Sequence, residues 1–223
     1  MQTLFGPNAG NFWKMIMLPA FKATFEMVFI TTIAGTLLGF LVAIILLVTN
    51  ENGMYPNKII YRIMAFIVNV IRSFPFIILM VFLMPFTKMI MGTSIGVQAA
   101  VVPLTVSATA FIGKLIEGAM QEVDPALVEA MKSFGISDLQ LIAKVIVSEA
   151  MPSIISGIIL ATISILGATA MAGTMGAGGI GSAAITYGYQ SFNYEVMYTI
   201  AFILVVFVEA IQGIGNIVYR KMK

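Results

Sequence analysis

Few residues in this chain can do chemistry, and their types narrow what it can be. Histidine and cysteine are both absent. That removes the commonest general base, the commonest transition-metal ligands and all thiolate or disulfide chemistry. Twelve basic and ten acidic residues remain in 223 positions. Nine of these 22 fall in one stretch: Lys114, Glu117, Glu122, Asp124, Glu129, Lys132, Asp138, Lys144 and Glu149. Two more stand in apolar surroundings, Arg72 within Arg72-Ser73-Phe74-Pro75 and Glu209 near the C-terminal end. No nucleophile–base pair is present, so the chain reads as a non-enzyme. Gly176-Ala177-Gly178-Gly179-Ile180-Gly181 fits G-x-G-x-x-G as a string. A dinucleotide fingerprint needs a buried strand before it and an acidic residue about 20 residues later. Here the string follows an apolar helix, so nucleotide binding is rejected and close backbone turning or packing is expected instead.

The elements that must position these residues are membrane helices. The chain is 60% hydrophobic and 10% charged, with a mean hydropathy of +1.01. Twenty-two charges could not cover a soluble domain of this size. The expectation is an all-α integral membrane protein, one transmembrane domain over residues 1–223. Five spans are expected at about 21–48, 59–86, 93–113, 153–172 and 196–219, with a water-exposed segment at 114–149. The charge-free run Met27 to Val48 alone reaches about 33 Å, enough for a bilayer core of about 30 Å. In the second span Pro75 and Pro85 should kink the helix. Arg72 there either snorkels from a helix end or faces protein or a water-filled cavity. The fourth span is rich in small and hydroxyl residues, including Thr162, Ser164, Gly167 and Thr169. Glu209 in the fifth is either an ion-coupling carboxylate or a charge against a partner subunit. Residues 1–20 should form an interfacial lead-in around Phe12 and Trp13, with no cleaved signal peptide. The first span would then be its own signal.

Charge sets the expected orientation. With the C-terminus inside, the inner segments hold Lys58, Arg62, Lys114, Lys132, Lys144, Arg220, Lys221 and Lys223. The outer ones hold Lys14, Lys22 and Lys88. The positive-inside rule therefore favours N-terminus out and C-terminus in, with segment 114–149 cytoplasmic. A net charge of +2, spread along the chain, gives no reason to expect nucleic acid.

Segment 114–149 reads as two short helices. Asp124-Pro125 is an N-cap followed by proline at the first helical position. Leu127, Ala130, Met131 and Phe134 recur at helical spacing. Gly135 suits a helix C-terminus that needs positive φ. Ser137 and Gln140 form a capping box that opens the next helix, with Leu139, Ile142, Ala143 and Ile146 as its apolar positions. A solvated connection is the plain alternative. Two capped amphipathic helices too short to hold alone point instead to a cytoplasmic partner protein.

Glu129-Ala130-Met131, Gly135 three residues on and Val145-Ile146-Val147 nine further resemble the EAA motif of permease subunits of bacterial ABC importers. Ser148 departs from the proline usual there, and Pro152 lies four residues on, so the second helix should run straighter or longer. Further stretches resemble the methionine-importer permeases: Arg72-Ser73-Phe74-Pro75-Phe76-Ile77-Ile78-Leu79, Pro85-Phe86-Thr87-Lys88, Gly92-Thr93-Ser94-Ile95-Gly96, Gln98-Ala99-Ala100, Pro103-Leu104-Thr105-Val106, Ala170-Met171, Gly176 to Gly181 and Tyr187-Gly188-Tyr189. The resemblance covers roughly residues 24–220, and it does not explain Glu209.

It implies the type I importer permease fold in the bacterial plasma (inner) membrane, working with a second copy of itself, two ABC ATPase subunits and an extracytoplasmic methionine-binding protein. Coupling to the ATPase would rest on Glu129, Ala130, Lys132, Gly135 and Asp138. The gate and path would involve Met171, Thr169, Arg72 and Pro75, with Met171 as an apolar plug. The chain would carry no cofactor, since ATP and magnesium belong to the ATPase. The alternatives are an EAA-type permease for another small solute or an ion-coupled carrier using Glu209.

Overall fold

The structure is a computed structural model and describes residues 12–222. Of the expected lead-in over residues 1–20, residues 1–11 lie outside the described residues, as does Lys223, and Trp13 already belongs to a helix. All regular structure among the described residues is helical. In chain order the helices are α1 (Trp13–Thr49), α2 (Lys58–Ser73), α3 (Phe76–Phe82), α4 (Met84–Met91), α5 (Val97–Gln121), α6 (Pro125–Ser133), α7 (Asp138–Ala177), α8 (180–189) and α9 (Tyr194–Met222). Four of them, α1, α5, α7 and α9, are long and apolar enough to cross a membrane. A fifth crossing exists if α2 and α3, bent by 110° at Phe74-Pro75, count as one. Pro75 lacks a backbone N–H and forces the residue before it out of the helical region, and Phe74 is extended (φ −74°, ψ 129°). The proline kink expected in the second span is therefore a sharp turn.

The helices share two ends. Tyr55 in the α1–α2 loop donates a hydrogen bond to Asp138 Oδ2 at the start of α7 (2.5 Å), which brings that loop to the α6–α7 segment. At the opposite end Thr24 Oγ1 in α1 accepts from the Ile180 N–H of α8 (2.8 Å), and Gly96 N–H donates to the Gly176 carbonyl (3.1 Å). Helix α1 begins at Trp13, ahead of the expected first span, and one face of its first turns is covered. Met17 and Ala20 pack with Ile180, Ala183, Ala184, Val196 and Ile200 of α8 and α9.

The centre of the fold is the parallel pair α1–α5, both helices running from the end that holds Gly176 and Ile180 towards the α6–α7 segment. Gly35 and Gly39 of α1 face Ala108, Thr109 and Gly113 of α5. A Cβ on Gly39 would stand 2.9 Å from the Gly113 nitrogen. A small-xxx-small pattern is what lets two helix backbones approach this closely in a membrane. Helix α7 packs against both α5 and α1, burying Ile154, Ala161, Ile165 and Leu166. The expected second cytoplasmic helix and fourth span are one continuous helix here, α7, which passes Ser148 and Pro152 without a break. It ends at Gly176 (φ +93°), and α8 folds back so tightly that a Cβ on Gly181 would collide with Ala170. The glycine string thus turns and packs backbone, as its composition suggests.

Candidate functional site

The α6–α7 segment is built from local signals. Asp124 Oδ1 accepts from the Ala126 N–H (2.9 Å) with Pro125 at the first helical position. Helix α6 stops at Gly135, whose φ of +77° is a left-handed conformation. The Ser137–Gln140 capping box then opens α7, each hydrogen bond 3.4 Å long. One face of the segment is held by the bundle: Leu127, Val128, Met131 and Ile136 pack against a core that includes Leu141, Val145 and Ile146. The rest of its apolar surface is not. Phe134 is 79% and Leu139 78% exposed, and Ala130 and Ala143 are exposed beside them. These four belong to the two stripes read from sequence, so each stripe is split between a bundle-facing half and an uncovered half.

The charged residues of the segment part ways. Glu129 and Lys132 line a cleft of about 640 Å³ between α6 and the α1–α2 loop, together with Asn50, Asn52 and Gln121. Asp138 instead accepts the Tyr55 hydroxyl. That hydrogen bond and the negative charge behind it hold the Tyr55 phenol above its ordinary value. Behind the segment Glu117 is completely buried near the end of α5, paired with Lys114 Nζ (2.7 Å) and accepting from Gln121 Nε2 (3.0 Å). Sequence reasoning singled out neither Tyr55 nor Glu117. The spacing Lys114, Glu117, Gln121 could have suggested a polar cluster on one helix face. Tyr55 sits in a polar turn 83 residues from its partner, with no local signal.

Within the membrane part, α7 presents an uncovered stripe to the outside of the chain. Ser153, Ser156, Leu160, Ser164, Gly167 and Met171 are exposed at intervals of three and four. Hydroxyls repeated along a lipid-facing helix would be unmatched, so this stripe fits a protein interface or a watery path. Met171 is 49% exposed, while Thr169 is buried and donates its hydroxyl to the Leu166 carbonyl (2.7 Å). Pro75 is exposed at the α2–α3 turn. Of Met171, Thr169, Arg72 and Pro75, Arg72, itself exposed, is the one that lines the cavity of about 210 Å³ between α2, α5 and α7. Glu209 is exposed on α9 among apolar neighbours. Among the described residues no three His, Cys, Asp or Glu side chains gather into a metal-sized group.

Comparison with known proteins supplies a family. The sequence pattern of the family described as "Binding-protein-dependent transport system inner membrane component" matches residues 35–223. A relative from Vibrio cholerae, named as a probable D-methionine transport system permease protein MetI, is 40% identical over 207 residues, 93% of this chain and 92% of its own. The methionine import system permease protein MetP of Bacillus subtilis is 38% identical over 174 residues, 78% of each chain. Among solved structures, a chain of the MetNI methionine ABC transporter in an inward-facing conformation superposes with a TM-score of 0.91. It has 38% identity and covers 95% of this chain and 98% of its own. An amino acid ABC transporter solved with histidines gives a TM-score of 0.76 at 22% identity, which shows a shared fold.

Proposed function

From its membership of the family of binding-protein-dependent transport system inner membrane components, to which this chain belongs, we propose that it is the membrane-spanning permease subunit of an ATP-driven importer for methionine. As a member it is a multi-pass inner-membrane transport component, and its relatives are named as permeases rather than enzymes. Two copies enclose the path about a two-fold axis, each docks one ATPase subunit, and an outer methionine-binding protein delivers the solute. ATP and its magnesium are held by the ATPase. The end carrying α6 and the α1–α2 loop faces the cytoplasm, with the C-terminus on that side and the N-terminus outside, in keeping with the eight-to-three basic asymmetry.

The observation that carries this reading is the uncovered apolar edge, Ala130, Phe134, Leu139 and Ala143, around the Gly135 turn. Large apolar side chains placed at a charged, water-facing end are a docking surface for another protein. Gly135 shapes the turn, Glu129 and Lys132 supply polar contacts, and Asp138 is braced by Tyr55. The same helix that starts at this edge reaches Met171 without interruption. Over 33 residues that is about 50 Å of stiff rod. Tilting its cytoplasmic end therefore moves Met171, a flexible apolar side chain suited to plugging a path. Thr169 secures the turn beneath it, and Pro75 lets α2 and α3 shift separately. Nucleotide-dependent contacts at the docking edge would bias the two states of the path.

The test is uptake of radiolabelled methionine into proteoliposomes holding the permease, its ATPase and the binding protein. Uptake should need ATP inside and survive ionophores. Loss of uptake with ionophores despite ATP would favour a carrier working through Glu209. ATP-driven uptake of a different solute would leave the permease role and overturn the substrate.

A further inference from the structure

Resting on the transport reading above, we infer that Arg72, Ser107 and Ser164 form a binding site for the carboxylate of an amino acid in transit. The site is the cavity of about 210 Å³ between α2, α5 and α7, with Phe74, Leu104 and Phe111 among its apolar walls. Arg72 lies 14 residues beyond Lys58, about 21 Å along α2 and so well within a bilayer core of about 30 Å. A guanidinium stays charged at any physiological pH, and at such depth it needs an anion or water. Among the described residues Arg72 has neither a carboxylate partner nor a hydrogen bond. The hydroxyls of Ser107 and Ser164 are equally uncommitted. Hydroxyls in helices often bond the carbonyl one turn back, as Thr162 does to Ile158 (2.8 Å). Two free donors and one free cation thus line one small space.

The chemistry of that space selects its ligand. A carboxylate can take a charge-assisted, two-pronged contact from Arg72 and two further hydrogen bonds from the serines. Apolar walls suit the hydrocarbon part of the solute. The volume is below the several hundred Å³ of pockets for drug-sized molecules and fits one amino acid. No acidic side chain lines the cavity, so the ammonium group remains with water in the path. Ser164 shares the exposed stripe of α7 with Met171 and lies seven residues, about 10 Å, from it. The site is therefore on the cytoplasmic side of the plug, where a solute would pause once Met171 has opened.

The test uses the permease–ATPase complex in nanodiscs without binding protein. Equilibrium binding of radiolabelled methionine is competed with 3-(methylthio)propionate, which keeps the carboxylate, or methioninol, which lacks it. The expected result is that 3-(methylthio)propionate competes and methioninol does so at least tenfold less well. Arg72→Gln should weaken methionine binding tenfold or more, with Arg72→Lys retaining part of it. The double variant Ser107→Ala, Ser164→Ala, which preserves packing, should lose several-fold. In the full system Arg72→Gln should still hydrolyse ATP in response to loaded binding protein while importing methionine at least tenfold more slowly. Equal competition by methioninol, unchanged affinity in Arg72→Gln, or no binding to a wild type that imports methionine would overturn the site. So would dissociation of the permease dimer in Arg72→Gln, which would assign the arginine to a carboxylate of the second copy. Failure of the wild type to import methionine at all would strike the transport reading instead.

Discussion

Tyr55 and Asp138 are joined by a single exposed hydrogen bond, and it ties two segments that nothing in the local sequence connects. Because the bond favours the neutral phenol, it is present below the ordinary tyrosine range of about 10 and is lost only as pH rises through the raised value. The difference ultraviolet titration between wild type and Tyr55→Phe should therefore show a phenolate midpoint above 10, and Asp138→Asn should bring it down. A midpoint unmoved by Asp138→Asn would dissolve the contact. Glu117 is a second residue-scale case. Removing its buried carboxylate in Glu117→Ala takes away the charge-assisted hydrogen bonds to Lys114 and Gln121, both of which water still reaches, a loss of about 1.5–3 kcal/mol. Thermal unfolding in detergent should register it, with Glu117→Gln recovering most of the loss. Equal stability of Glu117→Ala and wild type would show the pair to be incidental.

Between elements, α1 packs backbone to backbone on α5, and glycines on these two helices make predictions of opposite sign. Gly39→Ala would push a methyl against the Gly113 backbone, an overpacking cost of about 1–3 kcal/mol. Gly118→Ala, with nothing within 4 Å of its Cβ, should gain about 0.5–1 kcal/mol from helix propensity alone. Melting temperatures of the two variants, one below and one above wild type, check this. The same contrast shows what was legible. Asp124-Pro125, Gly135 and Ser137-x-x-Gln140 could be read directly because a cap is satisfied within four residues of chain. Gly35-x-x-x-Gly39 passed unremarked, since a small residue in an apolar run declares a partner only once the partner helix is known. Arg72-Ser73-Phe74-Pro75 announced a bend but not one of 110°, because the angle depends on where α3 packs against α5 and α7. The stripes on α6 and α7 were found by period. Which half of each would stay uncovered was set by the core they dock on.

Taken whole, the molecule has one end where an apolar edge lies uncovered among polar and charged residues and one end closed by tight glycine packing. The chain has no cysteine, so single cysteines report sidedness without background. Asn52→Cys and Ser137→Cys should react with an impermeant maleimide only after the inner face is opened, and Ser191→Cys should react in intact cells. Labelling of Ser137→Cys from outside would invert the arrangement and remove the docking edge from the cytoplasm. The central claim is that this edge couples the chain to an ATPase. Its most direct measurement is a pull-down from detergent-solubilised membranes, wild type beside a Glu129→Ala, Gly135→Val double variant. A β-branched residue at a left-handed φ of +77° costs about 1–2 kcal/mol and distorts the turn while leaving the membrane helices intact. The account predicts an ATPase with the wild type and none with the variant at equal membrane insertion. An ATPase retained by both, or found with neither, would contradict it.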